Sequence, residues 1–274
     1  MKITFIGGGN MAVALIGGMR KQGFSAAGIQ VVEPNEDNRT RLTEAFGVRC
    51  TAAVDAAALH CEVMVLAVKP QQMRDAISPF AGKMENQLVV SIAAGLRLAD
   101  MSRWLGGYRK LVRCMPNTPA LIGAGITGLY ADPSVDHESR LNAERIMKAA
   151  GNVLWISGEE QMDAVTAISG SGPAYVFYFI EAMEAAALNL GFPAAAARQL
   201  SVETFLGAAQ LAASSSDSIS TLRERVTSKG GTTEAALLSF AAHGIAGAIE
   251  QGVMAAKLRG RELGDQLGQD PGAA

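Results

Sequence analysis

Aromatic rings are scarce in this chain. Phe, Trp and Tyr together make up 5% of its 274 residues. An Ala- and Gly-rich, ring-poor interior suits close helix packing more than stacking on nucleic-acid bases. No block of Lys or Arg stands out and the formal net charge is -2, which argues against a nucleic-acid surface. His60, His137 and His243 are scattered and share no motif, so a metal site or a Ser/His triad has no support. Cys50, Cys61 and Cys114 are odd in number and lack metal-ligand spacing. They read as small buried hydrophobes in a reducing compartment. No apolar run reaches the roughly 18 residues that span a bilayer. The opening Met1-Lys-Ile-Thr-Phe-Ile-Gly7 is already strand-like, without a charged n-region and an h-region, so no signal peptide is expected. These absences together place the protein in the cytoplasm.

What is present is a hydrophobic fraction of 49% against 18% charged residues, enough for a well-buried core. The first part alternates short apolar runs with helical periodicity. Strands are expected near residues 2–6, 29–33, 62–68, 87–93 and 110–115, with further candidates at 126–130 and 153–156. Helices are expected at 11–22, 37–46 and 70–80. Nearly all-apolar strands mean a sheet covered on both faces. Regular βαβ alternation means a mostly parallel sheet with right-handed crossovers.

Past residue 158 the strands stop. Helices are expected at 173–190, 193–213, 217–226, 233–243 and 245–263, and a frayed tail over 265–274. The reading is α/β: a Rossmann-like, mostly parallel domain over 1–158, then an all-helical domain over 159–264. About a hundred residues in Ala-rich helices do not close a core well alone, so the helical part is expected to pair with a second copy.

Five strings carry chemistry. Gly7-Gly8-Gly9-Asn10-Met11-Ala12 has the form G-x-G-x-x-A after a strand and at a helix start, the fingerprint of a dinucleotide site. Gly7 permits the turn, Gly9 admits a pyrophosphate, and Ala12 lets helix and strand pack closely. Glu33, at the end of the second strand, is placed to take ribose hydroxyls and repel a 2′-phosphate. That leans toward NAD, although Asn35, Asn38, Arg39 and Arg41 lie beyond it for a phosphate if Glu33 swings away. Ala67-Val68-Lys69-Pro70 ends a buried strand, where ligands of open α/β sheets collect, on the nicotinamide side. Arg113-Cys-Met-Pro-Asn-Thr-Pro119 brackets Asn117 with prolines beside the same crevice. Ser169-Gly-Ser-Gly-Pro-Ala-Tyr175 caps the first long helix.

The last string is Val226-Thr-Ser-Lys-Gly-Gly-Thr-Thr-Glu234. Adjacent glycines before a helix start can aim successive amides at one point, and the helix N-terminus adds unpaired N–H groups. It reads as a site for a small carboxylate or phosphate.

Taken together the strings resemble pyrroline-5-carboxylate reductases, over nearly the whole chain and in the same order. The resemblance implies a Rossmann domain followed by a helical domain that interlocks into a homodimer, with assemblies up to a decamer in the family. It implies NAD(P)H-dependent reduction of Δ1-pyrroline-5-carboxylate to L-proline, the last step of proline biosynthesis. Members mostly use NADPH and some accept NADH; Glu33 departs from the small or basic residues of a strict NADPH user. By resemblance, Ser228, Lys229, Gly230, Gly231, Thr232 and Thr233 hold the substrate, with the amides of Gly231 and Thr232 on its carboxylate. Thr233 bonds the ring nitrogen as the catalytic group. Gly7, Gly8, Gly9, Asn10, Met11, Glu33, Ala67, Val68, Lys69, Pro70 and Asn117 hold the cofactor. No metal is implied.

Other readings on the same plan are a reductase of another small cyclic imine, a β-hydroxyacid-type dehydrogenase, or a non-catalytic dinucleotide-binding protein. The dehydrogenase needs a lysine on the long helix, and residues 173–190 contain none. A sensor has no need of the second anion site.

Overall fold

The computed structural model describes residues 1–269. They contain one eight-stranded sheet. Its strands are β1 (Ile3–Ile6), β2 (Ile29–Val32), β3 (Arg49–Thr51), β4 (Val63–Leu66), β5 (Leu88–Ser91), β6 (Leu111–Met115), β7 (Gly125–Ala131) and β8 (Gly151–Trp155). The spatial order is β3-β2-β1-β4-β5-β6-β7-β8. Every neighbouring pair is parallel except β6 and β7, which are antiparallel. The order reverses between β1 and β4, and that switch point is where doubly wound sheets bind ligands.

β1, β2, β4 and β5 are buried along their whole length. Alternate side chains feed two cores. Phe5, Val31, Val65, Val90 and Val112 pack on one face with Leu15, Ile16 and Met19. Ile6, Val32, Met64, Leu66 and Val89 pack on the other with Met73, Phe80, Leu98 and Met101. The period of two along a strand supplies both faces from one apolar run.

The covering helices are α1 (Asn10–Lys21), α2 (Glu36–Phe46), α3 (Ala56–Leu59), α4 (Met73–Ile77), α5 (Leu98–Trp104), α6 (His137–Lys148) and α7 (Met162–Val165). The expected helix over 70–80 is broken: a 3-10 turn covers Pro70–Gln72, α4 follows, and a second 3-10 turn covers Ser78–Phe80. Pro79, lacking an N–H, ends the α-helical ladder there. β3, α3, α5 and α6 lie outside the expected elements.

α7 runs into a π-turn at Thr166–Gly170. Beyond it come α8 (Gly172–Asn189), α9 (Ala194–Ser214), α10 (Ile219–Arg225), α11 (Thr232–Ala242) and α12 (Ile245–Leu267). Among the described residues two compact units result: Met1–Ser171 with residues 256–269, and Gly172–Ala255. The segment 159–171 packs with the sheet unit for a physical reason. Arg113 pairs with Glu159 and Asp163, and Asn117 bonds Ser169, so residues 159–171 stay with the sheet.

The tail also departs from expectation. α12 continues through Asp265 to Leu267 instead of fraying at 265. Arg97 pairs with Asp265 at 2.6 Å, and Leu267 packs on the second core. Gly264 permits the approach, since a Cβ there would sit 2.6 Å from the Gly95 carbonyl oxygen. The rest of the expected tail, 270–274, lies outside the described residues.

In the second unit α8 and α9 form a hairpin through Gly191, at φ 92. Among its residues only Ala197 and Ser201 are buried. Phe177, Tyr178 and Leu190 are 65%, 70% and 79% exposed. Apolar exposure on this scale marks an association surface. Among the described residues no helix is long and apolar enough to cross a membrane.

Candidate functional site

Of the helices that start without a side-chain cap, two start at a glycine, which has no side chain to offer. Gly9 is the N-cap of α1 and Gly231 the N-cap of α11; neither start has a side-chain hydrogen bond. Elsewhere, Asn35, Asp55, Asp136 and Ser218 cap α2, α3, α6 and α10 with a side-chain oxygen. A capped start has already satisfied one of its orphan N–H groups. The two glycine starts leave theirs for an outside anion, at the positive end of the helix dipole.

The first start lies at the switch point. Gly7, at φ +99, donates its N–H to Val32 O at 2.8 Å. A Cβ on Gly7 would lie 2.6 Å from the Ala67 carbonyl oxygen. β1 and β4 thus bring Gly7, Ala67 and Val68 together, with Lys69 exposed beyond them. Gly9 has open space where a Cβ would be and is exposed with Asn10. The amides of Asn10 and Met11 open α1 beside it. This is the cradle a pyrophosphate needs.

Gly8 has a different job. Its N–H donates to Glu33 Oε2 at 2.7 Å. The other oxygen, Oε1, accepts from Asn35 N–H at 2.8 Å. Glu33 is 8% exposed and held at both oxygens. It does not hang free to swing aside. The groups beyond it are engaged too. Arg39 donates to the carbonyls of Glu33 and Pro34, and the Asn35 side chain caps α2.

The second start is a closed turn. Gly231 N–H donates to Ser228 O at 3.0 Å. Gly230, at φ +73, donates its N–H to Glu234 Oε2 at 2.6 Å. The glycine amides expected to face an anion are therefore engaged within the turn. The donors left by the helix start are the N–H groups of Thr232 and Thr233, with the Ser228 hydroxyl next to Gly231. Lys229 is exposed at the turn. Glu234, which ties the turn, was not singled out in the sequence; its signal was an acid in the first turn of a helix, able to reach back to an amide before it.

Asn117 sits at the end of β6, 9% exposed. Its Nδ2 donates to Ser169 O at 3.1 Å and its Oδ1 accepts from Ile126 N–H at 3.0 Å. Both ends of the side chain are engaged within the sheet unit. The loop after β5, from Ile92 to Gly95, was also missed; it leaves the same edge of the sheet as Gly7 and Ala67. Burial pushes the thiols of Cys61 and Cys114 up, which disfavours their thiolate forms.

Comparison with known proteins agrees with this geometry. Residues 2–95 match the family described as NADP oxidoreductase coenzyme F420-dependent. Residues 159–263 match the family described as pyrroline-5-carboxylate reductase dimerisation. A pyrroline-5-carboxylate reductase of Escherichia coli is 37% identical over 85% of this chain and 87% of its own. The solved pyrroline-5-carboxylate reductase of Coxiella burnetii superposes with TM-score 0.89 at 39% identity, over 96% of this chain and 98% of that one. A Plasmodium falciparum pyrroline carboxylate reductase, solved with NADP bound, superposes with TM-score 0.86 at 27% identity, covering 96% and 98%. The Pseudomonas aeruginosa pyrroline-5-carboxylate reductase is 46% identical over 98% of both chains. With that identity along almost the whole length of both chains, this chain belongs to the pyrroline-5-carboxylate reductase family.

Proposed function

We propose that the protein reduces Δ1-pyrroline-5-carboxylate to L-proline with NAD(P)H, the last step of proline biosynthesis. The observation that carries this reading is the pair of uncapped glycine helix starts, one in each unit. One suits a pyrophosphate and the other a small carboxylate. The dinucleotide supplies a hydride, which goes to the imine carbon, while a proton ends on the ring nitrogen. A protonated C=N is already a good acceptor, so the protein's task is to bind and aim. Gly7, Gly9, Asn10, Met11 and Ala67–Pro70 hold the dinucleotide. Ser228 and the amides of Thr232 and Thr233 hold the carboxylate. The Thr233 hydroxyl orients the ring nitrogen and acts as the catalytic group. Free thiols support a cytoplasmic setting. The assembly proposed is a homodimer formed through the helical unit, open to growth into a decamer.

Loss of NAD(P)H absorbance on adding pyrroline-5-carboxylate tests the reading; no loss sinks it. Thr233→Ala is expected to lower kcat about 10–100-fold, the scale of one positioned hydrogen bond. An unchanged kcat removes Thr233 from the chemistry.

The dinucleotide preference follows from Glu33. Its carboxylate is pinned by two amides where the adenosine ribose belongs, so it accepts ribose hydroxyls and repels a 2′-phosphate. NADH is therefore expected to serve at least as well as NADPH. Glu33→Gln, which removes the charge and keeps an acceptor, should raise the NADPH/NADH ratio of kcat/KM about tenfold, a modest charge–charge term for a partly screened pair. Steady-state kinetics with both dinucleotides read this directly, and an unmoved ratio means that Glu33 does not set the preference.

A further inference from the structure

We propose that Asn117 is a positioning residue, a latch that holds the π-turn through which the chain leaves the sheet unit. The cause is in the sequence. Pro173 has no N–H, so the carbonyl of Ser169, four residues earlier, has no helical partner. Asn117 Nδ2 supplies one at 3.1 Å. The helix there is wound wide: Ser171 N–H donates to Thr166 O, five residues back, at 2.8 Å. Single wide turns of this kind are uncommon and recur at functional sites. The hydroxyls of Thr166 and Ser169 donate back to Met162 O and Val165 O, which favours bending.

The latch does not act alone. Arg113, Met115 and Asn117 are alternate residues, so they share one face of the strand and its extension. Arg113, with its side chain 3% exposed, pairs with Glu159 at 3.1 Å and reaches Asp163 at 3.8 Å. Met115 packs against Gly170, where a Cβ would come within 2.7 Å of its Cε. Gly128 on β7 lets Val165 approach equally closely. One strand face thus grips the segment 159–170 at three successive points. Asn117, the last of them along the strand, holds Ser169, two residues before Ser171, where the first unit passes into α8.

This has a kinetic consequence that rests on the proposed reaction. The segment that the latch holds leads directly into the unit that carries the Ser228–Thr233 turn, so loosening it is expected to lower turnover and to leave dinucleotide binding alone.

Asn117→Asp is the test. Aspartate keeps the acceptor for Ile126 N–H and turns an oxygen, in place of the NH2, toward the Ser169 carbonyl. Fluorescence titration with NADH and with NADPH should give Kd values within about twofold of wild type. The kcat with pyrroline-5-carboxylate should fall by about 10–100-fold. Hydrogen exchange at the Ser171 amide should quicken about tenfold or more, with the Phe5 amide of β1 unchanged. Weaker dinucleotide binding with unchanged Ser171 exchange would make Asn117 a cofactor contact and overturn the latch. So would a lower Tm with wild-type kcat, which is packing alone. Should Asn117→Asp not fold, Asn117→Ser, too short to reach Ser169, carries the same expectations. The exchange readout needs no turnover, so failure of the latch and failure of the reductase reading are told apart.

Discussion

Replacing Gly7 with alanine is expected to cost about 2–4 kcal/mol of stability and to weaken dinucleotide binding more than 100-fold. Two penalties act together. The backbone at φ +99 is a region that L side chains rarely adopt. The new methyl would also lie 2.6 Å from Ala67 O and 2.8 Å from Ala67 C. Those are backbone atoms of the neighbouring strand, tied in turn by Ala67 N–H to Ile6 O at 2.7 Å. Neither can yield without spreading β1 from β4. Gly9→Ala separates fold from ligand. Gly9 has φ -70 and nothing within 4 Å of its Cβ position. Its alanine variant should stay within about 0.5 kcal/mol of wild type and still lose dinucleotide affinity about tenfold or more, because the methyl stands where a pyrophosphate must approach. Thermal unfolding and dinucleotide titration of both variants check this. A Gly9→Ala protein that binds as wild type does would mean that the cofactor lies elsewhere.

The second large effect is expected at Gly231. Valine there meets no backbone strain, since φ -88 and ψ 174 are ordinary extended values. What it meets is Ser228. A Cβ would lie 2.5 Å from Ser228 Oγ and 3.0 Å from Ser228 O. The carbonyl is held by the turn's own hydrogen bond, so the hydroxyl must leave. Ser228 is the side chain proposed to grip the substrate carboxylate beside the first amides of α11. Losing a charge-assisted bond and admitting a bulky side chain should lower kcat/KM for pyrroline-5-carboxylate about 100–1000-fold, mostly through KM. Dinucleotide Kd and Tm should stay near wild type. An unchanged KM would remove the Ser228–Thr233 turn from substrate binding.

Much of the fold was legible because burial on two faces leaves a plain mark. β1, β4 and β5 read as nearly continuous apolar runs since helices cover both sides of them. β3 and α6 were missed for the opposite reason. β3 is three residues long with an exposed Arg49, and α6 buries only Ser139, Ala143, Ile146 and Met147 of its twelve residues. β3 is too short to show a period, and the one in α6, at i, i+4, i+7 and i+8, starts on a Ser and an Ala among polar residues.

The site was legible in part. Glycines at 7, 9 and 231 announce helix starts with no side chain to cap them. The allocation of donors was not legible. Two adjacent glycines at 230 and 231 suggest a nest of amides, yet the turn closes on Ser228 O and Glu234 and engages both. Glu33 shows the same thing: its position after β2 is readable, while its anchoring on Gly8 and Asn35 depends on how the loop after β1 folds back. A sequence counts donors and acceptors; only the folded chain assigns them.

By itself, then, the sequence determined the two helix starts with a glycine N-cap. A glycine N-cap has no side-chain oxygen to offer its own helix. It also determined the orphaned carbonyl at Ser169, because Pro173 can donate nothing. Tertiary structure decided what answers these vacancies. Asn117 reaches Ser169 from 52 residues away, and Arg113 finds Glu159 from 46. Contacts at that separation leave no periodic trace in the chain. They arise because a parallel sheet brings the ends of β1, β4 and β6 to one edge, whatever the length of sequence between them.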